Sequence, residues 1–361
     1  MVFIALGRRL TGESSPYSGS KISEAVMKKF LKKLSLAAIL LLTGTSLSQG
    51  QGLTLKLGTL APEGSPFDLI IRDMGDAWKT AGVKLQMYSG GVLGDEPDMV
   101  TKMRLGQIQV GVFTVVGLAK IDKGVQALSI PMLYKDYAES DYVRGKMQPL
   151  LEARLAAKGF KVLNWGEAGW VMFFGKQPIL TPEDLKKVKF FVWGDDTDTM
   201  NIWKSAGYSP VPLAATDILP NLQTGLINAF DTTPISALSF QWFTSAPHMT
   251  NMRWCPLVGA TIITTKAWNR LPADMKPALL KAAADAGTRF KTEIRTGEQK
   301  AIDVMKTKGL TVHEITGEQH DAWEKLFQNT YPQISGTVIP ADMMTQAIQY
   351  RDEYRAKKAA K

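Results

Sequence analysis

Asp195, Asp196 and Asp198 stand close enough together to suggest a calcium loop, in which carboxylates at alternate positions converge on one ion. The stretch lacks that loop's glycine at the sixth position and its glutamate at the twelfth. Lying just before Met200-Asn-Ile-Trp203, the acids instead suit a helix N-terminus, where they cap free N–H groups and oppose the helix dipole. His248, His313 and His320 are too scattered for zinc or iron ligation, which needs clustered His, Cys and carboxylate. Cys255, the single cysteine, sits in the apolar Arg253-Trp-Cys-Pro-Leu-Val258 and reads as a buried, inert thiol. No Gly-x-Ser-x-Gly elbow is present. Gly169-Trp-Val-Met-Phe-Phe-Gly-Lys-Gln177 misses the phosphate-loop pattern by one residue and by Gln for Ser/Thr. These readings leave no catalytic residue, no metal site and no cofactor.

Aromatic side chains are the other concentrated resource. Trp165, Trp170, Phe173, Phe174, Phe190, Phe191, Trp193 and Trp203 fall within about forty residues, and some must be core. Along Lys189-Phe-Phe-Val-Trp193 the two-residue period of a strand puts Phe191 and Trp193 on one face, Phe190 and Val192 on the other. Trp193 is a candidate pocket wall, since a buried indole N–H wants a partner.

The elements around these residues alternate. Leu53–Leu60 has strand periodicity and runs into a Pro/Gly loop; Phe67–Ala81 spaces its apolar residues as a helix does. Val83–Tyr88 is strand-like, Pro97–Leu105 helical, and Val110–Val116 a nearly all-apolar strand, which predicts a mainly parallel sheet under helices. The pattern restarts with strands at 162–165, 170–174 and 188–193, helices at 197–206 and 217–224, strands at 229–232 and 260–265, and a long helical stretch over 272–308. Two rounds of alternation without a linker predict two lobes joined by strands crossing near 165–175 and 255–265. A ligand would then lie between the lobes, at carboxyl ends of strands.

The chain has 361 residues, 45% of them apolar, enough for two ordinary lobes and not a disordered composition. Its net charge of +9 invites a nucleic-acid reading. Seven of the 43 basic residues but only two of the 34 acidic ones lie in residues 1 to 48, so the remainder is nearly balanced and needs no polyanionic partner. Met27-Lys-Lys-Phe-Leu-Lys-Lys33, the apolar Leu34–Leu42 and the small residues of Thr43–Ser48 read as an export signal with Met27 as the start and residues 1–26 an upstream extension. The apolar run is short for a bilayer span, although a retained anchor is the alternative. No cysteine follows it to carry a lipid.

Leu57-Gly-Thr-Leu-Ala-Pro-Glu-Gly-Ser-Pro66, Tyr88-Ser-Gly-Gly-Val-Leu-Gly94, Asp98–Gly106, Leu128-Ser-Ile-Pro-Met-Leu-Tyr134, Pro178-Ile-Leu-Thr-Pro-Glu-Asp-Leu185 and Leu222-Gln-Thr-Gly-Leu-Ile-Asn-Ala229 together resemble the DctP-type substrate-binding subunits of tripartite ATP-independent periplasmic (TRAP) transporters. The resemblance spans about residues 53–310. It implies an α/β fold of the periplasmic binding protein type II kind, with two α/β lobes joined by crossing strands and a long helix spanning them. The expected division is residues 1–50 as extension and signal, 51–168 plus 261–300 as lobe 1, and 169–260 plus 301–361 as lobe 2. It also implies a non-enzymatic, periplasmic protein that hands a small molecule to TRAP membrane subunits.

In that family an arginine after the Pro-Glu-Asp-Leu segment grips the ligand carboxylate; the matching position here is Phe191, and a second basic position falls near Val171. Val192-Trp-Gly-Asp195, Phe230-Asp-Thr-Thr-Pro234 and Leu238-Ser-Phe-Gln-Trp242 resemble instead a variant branch whose transporters work with a tetratricopeptide-repeat periplasmic protein. By that likeness Trp170, Phe191, Trp193 and Phe230 wall an apolar pocket, Asp231, Thr232 and Thr233 form its polar end, and Glu63 of the first loop joins the ligand-binding set. A carboxylate buried there without a cation would cost several kcal/mol, of order 2–7. The alternative is a conventional organic-acid binder using another cation, Arg104 or Arg253. An enzyme on the same fold, or a scaffold with a filled cleft, are the rivals from other classes.

Overall fold

The computed structural model describes residues 53–360, so the expected extension and export signal lie outside the described residues. The chain begins with β1 (Leu53–Thr59), α1 (Pro66–Thr80), β2 (Val83–Tyr88), α2 (Glu96–Arg104), β3 (Val110–Thr114), α3 (Val115–Ala119), a 3-10 turn (Lys123–Ser129) and α4 (Tyr137–Ala157). β4 (Phe160–Gly175), α5 (Pro182–Lys186), β5 (Lys189–Trp193), α6 (Thr197–Ser205), β6 (Ser209–Leu213), a 3-10 turn (Ala215–Asp217), α7 (Ile218–Thr224), β7 (Ala229–Thr232), α8 (Pro234–Ser239) and β8 (His248–Thr250) follow. Then come β9 (Cys255–Thr264), α9 (Thr265–Arg270), α10 (Lys276–Thr307), β10 (Thr311–His313), α11 (Gly317–Ile334) and α12 (Ala341–Ala359).

Two groups of strands share β4. On one side the order is β2-β1-β3-β9-β4, on the other β4-β7-β5-β6, with β8 also on β4 and β10 on β8. Where the alternation predicts a mainly parallel sheet, the sheet is mixed: β1, β2 and β3 run parallel, but β9 is antiparallel to both β3 and β4, and β4 is antiparallel to β7. The reason is that β4 and β9 are long strands serving both lobes. The two short strands expected at 162–165 and 170–174 are one strand of 16 residues. Its first twelve residues pair along β9 and its last four along β7.

β4 is not regular. Its register on β9 slips between Val162 and Asn164 and again between Glu167 and Gly169, and Gly169 has φ of +114°, a conformation that a side chain resists. Bulges bend a strand and redirect side chains. Here they turn Asn164, Gly166, Glu167 and Ala168 toward the space between the sheets.

The 32-residue α10 lies along β4 and is the spanning helix. Gly287 lets it approach closely, because a Cβ there would sit 2.9 Å from the carbonyl oxygen of Trp165. Asn164 Nδ2 donates to Ala283 O at 2.7 Å, and Phe290, buried against Gly166, contributes about 1.5–3 kcal/mol by the area it removes from water. α1 is fixed to the same helix. Its start is capped by the Ser65 hydroxyl and set by Pro66, its buried stripe is Ile70, Ile71, Met74 and Trp78, and Trp78 Nε1 donates to Leu279 O at 3.1 Å. Among the described residues no helix is long and apolar enough to cross a membrane.

Candidate ligand-binding cleft

A cavity opens between the two strand groups, walled by β3, β4, β5, β7, β9, the starts of α1 and α2, α10 and the loops after β1, β6 and α8. Its apolar surface includes Leu60, Phe67, Phe113, Phe191, Trp193, Phe240, Trp242 and Phe290. Phe191 and Trp193 lie two residues apart on β5 and meet edge to face, with ring centroids 5.3 Å apart. Phe240 and Trp242 stack at 4.5 Å. Between them Gln241 adopts φ of +58°, a left-handed conformation that costs a residue with a side chain about 1–2 kcal/mol and here turns both rings to the cavity.

Four of the anticipated site residues meet at this cavity: Phe191, Trp193, Asp231 and Thr232. Trp170 and Phe230 are fully buried one layer behind it; Trp170 packs on Tyr137 with its Nε1 unpartnered, and Phe230 stacks on Phe174. Thr233 is also buried, because it caps α8 by accepting from Ser236 N. Glu63 is remote from the cavity: it pairs with Arg72 at 2.9 Å beside a surface hollow between α1 and β2. Asn164, Glu96 and the Phe240/Trp242 pair line the cavity without having been anticipated. Only Phe240-Gln-Trp242, with aromatics flanking a polar residue, carried a sequence signal.

Among the described residues three carboxylates line the cavity, and no Lys, Arg or His does. Glu96 is buried and accepts from Thr114 N, Thr114 Oγ1 and Gly117 N at 2.7–2.8 Å, so it serves as the anchor of α3; burial outweighs these bonds and raises its carboxyl to about 7. Glu167 receives 2.5 and 2.8 Å bonds from Arg295 and one of 3.2 Å from Arg144. Asp231 alone has no side-chain partner. Burial pushes its carboxyl up to about 7 against the pull of its own backbone N–H.

The cations considered from the sequence are elsewhere. Arg104, exposed on α2, donates to Lys120 O, and Arg253 lies 3.4 Å from Glu298; neither lines the cavity. Val171, at the second position where the family has a basic residue, is buried in β4. Cys255 is buried, and burial, then the nearby Asp231, holds its thiol well above the usual range. Asp196 caps α6 by accepting from Thr199 N. His248 and His313, 65 positions apart, are brought together by the pairing of β8 with β10 and share a 2.9 Å hydrogen bond.

The site is thus an interlobe cleft bridged by β4 and β9. The sequence model of the bacterial extracellular solute-binding protein family 7, DctP, matches residues 57–336. The chain belongs to that family. Among relatives of this family 7 protein, the C4-dicarboxylate-binding periplasmic protein DctP of Rhodobacter capsulatus is 24% identical over 73% of this chain and 80% of its own. The 2,3-diketo-L-gulonate-binding periplasmic protein YiaO of Escherichia coli is 28% identical over 64% and 70%. The sugar acid binding protein of Advenella mimigardefordensis, solved with galactonate, superposes with a TM-score of 0.78 over 83% of this chain and 98% of its own, at 16% identity. At that identity the likeness bears on the fold.

Proposed function

We propose that this protein is a periplasmic solute receptor that captures a small apolar or amphipathic molecule between its lobes and delivers it to the membrane subunits of a TRAP transporter. On this reading the lobes divide at 168/169, 260/261 and 300/301, and an N-terminal export signal directs the protein out of the cytoplasm. The ligand rests against Phe191 and Trp193, with Asp231 and Thr232 at its polar end. Trp170, Phe230 and Thr233 support that wall from behind. Likeness to the variant branch adds a tetratricopeptide-repeat protein as a further partner.

The observation that carries this reading is the charge of the lining: three carboxylates and no basic side chain. A ligand carboxylate closed into that space would be desolvated with no cation in the lining to pair with it, at a cost of several kcal/mol. Phe191 in place of a guanidinium leaves no bidentate fork. The second reading, an organic-acid receptor, is favoured by the names of the relatives, which bind C4-dicarboxylates, diketogulonate or galactonate. Calorimetry on ligand-stripped protein separates the two. Succinate and galactonate should show no binding at millimolar concentration, and micromolar affinity for either would replace the apolar reading with the acidic one.

A further inference from the structure

Asp231 is the one cleft carboxylate whose charge the protein does not answer. Glu96 is taken up by the backbone and hydroxyl of Thr114 and by Gly117, and Glu167 by Arg295 and Arg144. Apart from its own N–H, no donor among the described residues bonds to the Asp231 carboxylate, although the residue's backbone is paired on β7 opposite Phe173. It shares its cavity with Phe191, Trp193, Phe240 and Trp242, whose π-faces are electron-rich. A carboxylate together with several aromatic rings is the surrounding that stabilises an organic cation, the carboxylate by charge and the rings by their quadrupoles. The same surrounding repels an anion.

We infer that the ligand carries a protonated amine, which pairs with the Asp231 carboxylate while its apolar body packs on the aromatic wall. This rests on the proposed apolar cleft and narrows it to a chemical class, an amphipathic organic cation. Burial without a cation raises the Asp231 carboxyl to about 7, so an incoming ammonium gains most where that group is already ionised. The neighbouring charges do not compete for the amine: Glu96 and Glu167 are saturated, and Cys255, behind Asp231, stays a neutral thiol.

Three probes of one shape test this: 3-phenylpropylamine, 3-phenylpropanol and 3-phenylpropanoate, titrated at about pH 8 against wild-type protein and Asp231→Asn with tryptophan fluorescence as the readout. In the wild type the amine should bind about tenfold tighter than the alcohol, and the carboxylate weakest. Asp231→Asn should bring the amine to within about threefold of the alcohol. An alcohol that binds as well as the amine in the wild type overturns the amine assignment and leaves the apolar cleft standing. Failure of the amine to bind at all, or an unchanged amine preference in Asp231→Asn, overturns it too. Tightest binding by the carboxylate removes both the assignment and the cleft reading beneath it. The wild-type series stands even if the variant folds poorly.

Discussion

Asp95 Oδ2 accepts a 2.9 Å hydrogen bond from the backbone N–H of Ala215, 120 positions away, across the mouth of the cleft. Asp95 precedes α2 beside the first strand group, and Ala215 follows β6 of the second. Lys120 with Asp195 at 3.4 Å and Lys123 with Asp198 at 2.7 Å span the same gap, but these pairs are exposed and worth about 0–1 kcal/mol each. The buried Asp95 bond is therefore the strongest of these three contacts across the gap.

Ala215→Pro tests that bond without disturbing the cap that Asp95 provides for α2. Ala214 has φ −74° and ψ 152°, as a residue before proline requires, and Ala215 opens a 3-10 turn, where proline is tolerated. The substitution removes only the N–H, so that Asp95 Oδ2 loses its donor while Oδ1 keeps the bond from Glu96 N, a loss of about 1–3 kcal/mol confined to the arrangement in which the two strand groups meet here. Ligand affinity should fall by about five- to a hundredfold while the melting temperature of the ligand-free protein barely moves. An unchanged affinity would mean that closure does not depend on this contact.

Two of the raised carboxyls, Asp231 and Glu96, give the ligand-free protein a distinct pH dependence. Asp231 and Glu96 titrate near 7 in the folded chain but near 3.8 and 4.5 when unfolded. Between those values the native state holds more protons, so stability falls as pH rises from about 4 to 7 and levels off above. Asp231→Asn should flatten part of that slope and melt a few degrees above wild type near pH 8. A slope identical to that of wild type would show that Asp231 does not titrate in this range.

Arg295 holds the cleft wall through Glu167 and also bonds Asp141 at 2.7 and 2.9 Å, with Tyr137 stacked 4.1 Å from its guanidinium. Burial alone would raise Asp141, but hydrogen bonds from Arg295 and Lys291 outweigh it and hold the carboxyl down at about 2. Its contribution is present above about pH 4 and lost as pH falls toward 2. Arg295→Met removes its bonds to Glu167 and Asp141 and leaves Glu167 with Arg144 alone and Asp141 with Arg144 and Lys291, so urea denaturation near neutral pH should show a loss of about 1–3 kcal/mol. The variant should also lose less stability than wild type on acidification from about pH 5 to 3. A loss well under 1 kcal/mol at neutral pH would mean that Glu167 and Asp141 are satisfied without it.

Elements with a strong local pattern were legible before the structure. Ser65-Pro66 and the spacing of Ile70, Ile71, Met74 and Trp78 announce α1, whereas the short α5, started by the capping box Thr181-Pro-Glu-Asp184, was not anticipated. Val115 and Val116 extend the apolar run of β3 but belong to α3, because the Thr114 hydroxyl caps a helix there and periodicity alone cannot separate a buried strand from a buried turn of helix. α4 carries Pro149 and no clean apolar stripe, so its 21 residues give little local warning. In the cleft, Phe191 and Trp193 follow from the two-residue period of β5. Asn164 and Glu96 could not, since only the bulges of β4 and the anchoring of α3 bring them to the wall.

Identification of what the protein carries when purified from cells bears most directly on the central claim, a cleft built for an apolar or amphipathic molecule. Native mass spectrometry should detect a bound mass, and denaturing release should yield a molecule with an apolar body and no free carboxylate. Release of succinate, a sugar acid or another small carboxylate in stoichiometric amount would contradict the account.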